Sequence, residues 1–243
     1  MNEVVQSLLE HRSIRQYTEE PISREQLEAI IDAAQAAPSS INGQQVSIVG
    51  VDEAGLKRKL AELTGNQKWV DEAPLFLVFC ADYHRAAIAA EKNNENLVIT
   101  EGIEASLVGA TDVGLSMGYA IAAAESMGLG TVPIGGIRRM PLEVIELLNL
   151  PKYVFPVCGL VIGHPADRSA KKPRLPREAV YHGNRYSTDQ QTLIDQYDET
   201  YRNYLQQRGA QDRTWTSSIA GIYNRVYYPQ VRSMLEQQGF DFK

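Results

Sequence analysis

Residues 102–127 are almost wholly small or apolar, a stretch long enough to cross a bilayer if length alone decided. Glu104, Asp112 and Glu125 recur through it, and carboxylates are costly in lipid, so the stretch predicts a helix buried in protein. Gly109, Ala110, Gly114, Ser116, Gly118, Ala120 and Ala122-Ala123-Ala124 leave little side chain, which lets another backbone come close. The expectation is one central helix, lying at a dimer interface, around which the rest must be arranged.

The remaining elements fall on either side of it. Ser23-Arg24-Glu25-Gln26 reads as a capping box, with Ile22 and Leu27 as a hydrophobic staple and Leu27, Ile30, Ile31 and Ala34 repeating at helical spacing up to Pro38. Residues 39–45 form a polar loop before a strand at 46–51, and a helix is expected near 56–63. Leu75 to Ala81 is apolar at every position, as in a central strand covered on both faces. Further strands are expected at 131–134 and 157–162, and Pro141 opens a helix. Helices both alternate with strands and double up, so the class is α+β, a helix-covered sheet in place of a regular βαβ array.

After Pro176 the texture changes: eight of the twelve tyrosines lie between Tyr181 and Tyr228, among many arginines. Leu193, Tyr197, Tyr201 and Tyr204 mark one helix there; Trp215, Ile219, Ile222 and Val226 mark another. Such helices suit either an interface or a layer packed on its own core.

Composition narrows the function. The 243 residues are 44% hydrophobic and carry a formal charge of -6, which suits a globular chain and argues against a nucleic-acid surface. Cys80 and Cys158 lie in apolar runs without metal-ligand spacing, so buried reduced thiols are expected and a metal site is not. The first residues lack a basic and apolar leader, which predicts a cytoplasmic protein.

Against that acidic background, His11-Arg12-Ser13-Ile14-Arg15 packs an imidazole, a hydroxyl and two guanidiniums into five residues. Guanidinium forks and a neutral hydroxyl donor suit a phosphate, although by itself the cluster reads equally as a solvated turn. Lys171-Lys172-Pro173-Arg174 is a second cationic knot. Gly114-Leu115-Ser116-Met117-Gly118 matches a nucleophile elbow, but it sits inside the long helix and not at a strand-to-helix turn. Gly128-Leu129-Gly130 begins like a dinucleotide fingerprint, yet Pro133 takes the place of the third glycine and a strand follows. Walker A and HExxH motifs are absent. Pro133-Ile134-Gly135-Gly136-Ile137 ends a predicted strand with two glycines whose N–H groups can approach a flat ligand. Together with the Ser/Asn/Gln loop and the two cationic knots, these are the parts needed to hold flavin mononucleotide.

HRSIRQYTEEPIS, APSSINGQQ, TGNQKWV, AAAESMGLGTVPIGGIR and KKPRLPREAVYH resemble the nitroreductase family, in particular its NADPH-preferring oxygen-insensitive nitroreductases and flavin reductases, along nearly the whole chain. The resemblance implies a central, mainly antiparallel sheet flanked by helices, with a core over residues 1–176. It also implies a helical extension over 177–243 that wraps the partner of a homodimer, with FMN at the subunit interface. By position it assigns His11, Arg12, Ser13 and Arg15 to the flavin phosphate and ribityl chain, with Lys172 and Arg174 adding charge. Ser39, Ser40 and Gln67 would approach the flavin, and Ile134, Gly135 and Gly136 would line its ring. Arg208 and Arg213 resemble the pair that grips the 2′-phosphate of NADPH, although their polar setting also fits solvated arginines. Pro133 stands where relatives often carry an aromatic residue, and Asn42-Gly43 where some have bulkier ones, so the acceptor pocket differs in shape.

The activity implied is hydride transfer from NADPH, or NADH, through FMN to small acceptors such as flavins, nitroaromatics or quinones, in ping-pong turnover without a protein acid or metal. The alternative is an FMN carrier or sensor without steady turnover. His164 and His182 are expected to be structural.

Overall fold

The computed structural model describes residues 1–167 and 169–242. In chain order the helices are α1 (Glu3–Leu9), α2 (Arg24–Gln35), α3 (Ala54–Leu63), α4 (Lys68–Glu72), α5 (His84–Lys92), α6 (Glu104–Ser126), α7 (Pro141–Leu147), α8 (Gln191–Gln207), α9 (Trp215–Tyr223) and α10 (Val231–Gln237). The strands are β1 (Val46–Val51), β2 (Leu75–Asp82), β3 (Gly130–Ile134) and β4 (Val154–Gly163), in one antiparallel sheet of order β1-β2-β4-β3. Contacts divide the chain into a unit of residues 1–169 and 230–243 and a second of 170–229.

β2 organises the first unit, because all of it is buried and its side chains alternate between faces. Leu75, Leu77, Phe79 and Ala81 meet Ile30 and Ala34 of α2, the small residues of α6, and Met234 and Leu235 of α10. Phe76, Val78 and Cys80 meet Leu60 and Leu63 of α3, Val70 of α4 and Val144 of α7. The apolar run legible in sequence is thus two half-cores back to back. Phe240 closes the first, edge-on to Tyr83, Tyr153 and Phe155 at centroid distances of 5.8, 6.4 and 5.1 Å.

α2 carries the expected capping box, with Ser23 Oγ accepting from Gln26 N and Gln26 Oε1 from Ser23 N. α6 buries one stripe, Ala105, Gly109, Asp112, Val113, Ser116, Ala120 and Ala124, spaced by three and four residues. Gly109 is where the close approach occurs: a Cβ there would lie 2.8 Å from Ala81 Cβ, whereas one at Gly114 or Gly118 would meet open space. The burial expected of this helix therefore holds for one face only, and Leu107, Leu115 and Tyr119 are exposed in the single chain. By length and composition α6 could cross a membrane. Two polar residues on its buried face are nonetheless satisfied by protein, Ser116 Oγ donating to Ala34 O at 2.9 Å and Asp112 accepting from Ser40 N.

β4 begins at Val154, ahead of the expected 157, and holds Pro156. The proline is tolerated because the β2–β4 register shifts between Phe79 and Cys80, and a bulge relieves the need for its missing N–H. α10 has no side-chain cap and is short, so it left no signal in sequence.

In the second unit, α8 buries Tyr197, Tyr201 and Leu205, and Tyr197 meets Trp215 edge-on at 5.7 Å. Thr214 caps α9, which ends at Tyr223, so Val226 lies beyond the helix it was expected to mark. α9 buries none of its residues, and Tyr223 and Tyr227 are exposed.

Candidate active site

Residues 11–17 run extended along the sheet. Ser13 bridges to Thr131 of β3 in parallel, and Ile14 N donates to Thr131 O at 2.9 Å. Ile14 is buried against Gly130, where a Cβ would sit 2.7 Å from Ile14 Cγ1, so only glycine admits this packing. Tyr17 Oη donates to Ile14 O at 2.6 Å, and burial raises its ionisation far beyond the ordinary phenol range, opposed by the charge of Arg15. Ala166 N donates to Gln16 O and Thr18 N to His164 O, both at 2.9 Å, which fastens the far end of the segment.

The cationic side chains on this strand are held differently. His11 Nδ1 lies 2.8 Å from Glu125 Oε1, and the same oxygen accepts from Thr131 Oγ1 at 2.7 Å. Arg12 turns to Glu10, with its Nη2 2.9 Å from Glu10 Oε2. Arg15 is exposed, stacks on Trp69 with 5.5 Å from Cζ to the ring centroid, and has no carboxylate partner among the described residues. Trp69 Nε1 is buried without a hydrogen-bond partner.

Gln67 and the two glycines come together across the loop before α4. Gln67 Nε2 donates to Thr64 O at 2.8 Å, and a Cβ on Gly136 would fall 2.7 Å from that nitrogen and 2.4 Å from Thr64 O. Gly135 has only Arg138 Nη2 near its Cβ position, at 3.6 Å, so its side stays open. Ile134 is buried at the end of β3. Arg138 donates to Val157 O and holds this turn against β4.

Ser39 and Ser40 form a separate group within one chain, on the side of α2 and α6. Ser40 N donates to both oxygens of Asp112, and Ser39 Oγ accepts from Gln44 N at 3.2 Å. They border a cleft of about 680 Å³ floored by Leu27, Ile31, Val46 and Ile48, with Arg85 and Asp112 at its polar edge. No hydrogen bond among the described residues joins Ser39 or Ser40 to residues 11–15, Gln67 or Gly135-Gly136.

The remaining candidates belong to the second unit. Lys172, Arg174 and Arg213 line a groove of about 750 Å³ with Tyr197, Tyr201 and Trp215. Arg208 lies outside that lining, stacked on Tyr204 with Cζ 5.5 Å from the ring centroid and Nη1 2.5 Å from Tyr204 Oη. His182 stacks on Tyr186, and His164 Nε2 lies 3.6 Å from Glu20. Among the described residues no cluster of His, Cys, Asp or Glu could hold a metal.

The sequence model of the Nitroreductase family matches residues 8–164, and that of the Nitroreductase family, C-terminal domain, matches residues 172–243. The chain belongs to the nitroreductase family. This nitroreductase is 58% identical to the FMN reductase [NAD(P)H] of Bacillus subtilis (strain 168), over 99% of this chain and 98% of that protein. It is 40% identical to the oxygen-insensitive NADPH nitroreductase of Salmonella typhimurium, over 99% of each. Among solved structures it resembles B. megaterium NfrA2, with a TM-score of 0.99, 59% identity and full coverage of both chains. It also resembles the NADPH:FMN oxidoreductase from Vibrio harveyi complexed with NAD+, with a TM-score of 0.91, 38% identity and full coverage of both chains.

Reasoning from sequence missed the carboxylates of this nitroreductase that hold its loops, Asp112 and Glu125. Their signal was present, since each interrupts an otherwise apolar helix, but it served only as an argument about lipid.

Proposed function

We propose that this nitroreductase is an FMN-dependent NAD(P)H oxidoreductase acting on small electron acceptors. The observation that carries the reading is the fastening of the 11–15 strand along β3, whose far end presents Gly135 and Gly136 beside Gln67. The donor set fits the group: Arg15 has no carboxylate partner among the described residues, Ser13 adds a neutral donor, and glycine backbone leaves room for a flat ring. The names of the relatives, FMN reductase and NADPH-flavin oxidoreductase, point the same way.

In this reading His11, Arg12, Ser13 and Arg15 hold the phosphate and ribityl chain, with Arg12 leaving Glu10 to do so. Gln67, Ile134, Gly135 and Gly136 line the ring. Lys172 and Arg174 are assigned to the same phosphate, and Arg208 and Arg213 to the 2′-phosphate of NADPH, on the resemblance. Bound there, FMN would supply two-electron redox chemistry between NAD(P)H and small acceptors such as flavins, nitroaromatics or quinones. The protein contributes fixed positive charge and a site that admits planar molecules.

The separation of Ser39 and Ser40 from the strand residues supports a homodimer in which a second copy brings them to the flavin. The exposed apolar residues of α1 and α6, Val4, Leu8, Leu107, Leu115 and Tyr119, supply a face for it. The free Cys80 and Cys158 suit a reducing cytoplasm. The test is anaerobic mixing of the flavin-loaded protein with NADPH. Loss of flavin absorbance, restored by a nitroaromatic or quinone, supports the reading; unchanged absorbance leaves only a flavin binder.

A further inference from the structure

Glu125 occupies a place that helix energetics do not favour. It lies in the last turn of α6, where the carbonyl ends make the helix terminus negative and a carboxylate is repelled, and no basic residue shares that turn. Its side chain is only 14% exposed, which adds a desolvation cost. A residue that violates two local rules at once is held by some gain elsewhere.

That gain is visible in its partners. Oε1 accepts from Thr131 Oγ1 at 2.7 Å and faces His11 Nδ1 at 2.8 Å. An ionised carboxylate only accepts, so Nδ1 carries the hydrogen, and the ring's orientation and tautomer are set with Nε2 turned away from the carboxylate. Thr131 is fully buried and is also the residue to which the phosphate strand is pinned, through Ile14 N and the bridge to Ser13. One oxygen thus ties the end of α6, β3 and the start of the 11–15 strand together.

We infer that Glu125 is a positioning residue for the phosphate subsite, fixing His11 so that Nε2 meets the phosphate of the bound flavin. The inference rests on the proposed flavin site and narrows it to one interaction. Such a residue acts on ligands that carry a phosphate and spares those that lack it.

The experiment titrates flavin-free full-length protein with FMN and with riboflavin, which has no phosphate, following flavin fluorescence. Wild type, E125A, E125Q, H11A and the double variant H11A/E125A are compared. E125A is expected to weaken FMN about tenfold, the loss of one charge-assisted hydrogen bond, with riboflavin changed less than about twofold. E125Q, which keeps an acceptor oxygen in place, is expected to recover most of the FMN affinity, and E125A is expected to add almost nothing in the H11A background. Equal losses for FMN and riboflavin, an undiminished E125A effect in H11A, or no recovery in E125Q would each overturn the inference while leaving the flavin site standing. Should E125A not fold, E125Q against H11A carries the comparison, and equal FMN-to-riboflavin ratios in wild type and H11A overturn it. Wild type that binds neither flavin overturns the site itself.

Discussion

Asp112, midway along α6, turns both carboxylate oxygens onto the backbone N–H of Ser40, at 3.2 and 3.1 Å. Asp112 is 3% exposed and pairs with no cation among the described residues. The loop it grips is unusual: Ile41, Asn42 and Gln44 have φ of 50°, 57° and 50°, and Ile41 is 96% exposed. A left-handed β-branched residue stores strain and persists only where its surroundings over-determine it. The other end of the loop is held by Arg85, whose Nη2 donates to Gln44 O and Val46 O while Nη1 binds Asp82. D112A is expected to free the loop, with the Ser40 amide exchanging its hydrogen about tenfold faster or more, as befits one lost hydrogen bond to a charged group. D112N, which keeps one acceptor oxygen, should lie between. Hydrogen exchange followed by NMR or mass spectrometry reads both, and an unchanged Ser40 rate in D112A contradicts the anchor.

Arg15 has no carboxylate partner among the described residues and rests on the face of Trp69. R15A is therefore expected to purify with much less flavin and to bind FMN about 10- to 100-fold more weakly, the range for a charged hydrogen-bond donor. R15K, with charge but no fork, should recover part of it. The ratio of flavin to protein absorbance measures this directly, and full occupancy in R15A contradicts the assignment.

The adjacent glycines should fail differently. G136A places a Cβ 2.4 Å from the backbone oxygen of Thr64 and is expected to lower stability by about 1–3 kcal/mol. G135A meets only the end of a flexible arginine at 3.6 Å, so it should fold like wild type and lose flavin affinity instead. Thermal melts of the flavin-free variants, beside FMN titrations, separate the two effects.

Alkaline pH should destabilise the fold through its buried acids, Cys80 and Tyr83 along with Tyr17. Burial, with Asp82 adding, pushes the Cys80 thiol from 9.0 to about 12, and burial, with Asp112 adding, pushes the Tyr83 hydroxyl from 10.0 to about 12. The unfolded chain releases these protons from the ordinary values upward while the folded chain keeps them, so the unfolded state binds fewer protons and stability falls as pH rises across that window. Urea midpoints measured from pH 8 upward should decline, and C80A should flatten the decline. A midpoint insensitive to pH in wild type would show that these groups are not protected.

Arg208, resting on Tyr204 in the second unit, is expected to serve the nucleotide and not the flavin. R208A should raise KM for NADPH by about tenfold or more and leave KM for NADH nearly unchanged, since only NADPH carries the 2′-phosphate. Equal changes in the two constants remove that role.

Much of this architecture was legible one residue at a time. The capping box at Ser23 and Gln26, the fully apolar run of β2 and the small-residue stretch of α6 are signals that act within a turn or a strand, through backbone groups and periodic burial. The cationic strand at 11–15 was legible for the same reason, as a composition no core would take up. Elements whose ends depend on a neighbour were not: Pro156 concealed the start of β4 until its bulge against Phe79 and Cys80 was seen, and α10 has no cap of its own.

By itself, then, the chain determined most of its helices and strands and where its cationic side chains cluster, because those depend on bonds and solvation within a few residues. Only the tertiary structure decided that Asp112 would grip Ser40 and Glu125 would meet His11, partners 72 and 114 positions apart. Those pairings follow from the sheet order β1-β2-β4-β3 and the path of α6 across it. Each carboxylate, placed by the helix where water is scarce, takes whatever donor the fold brings within reach.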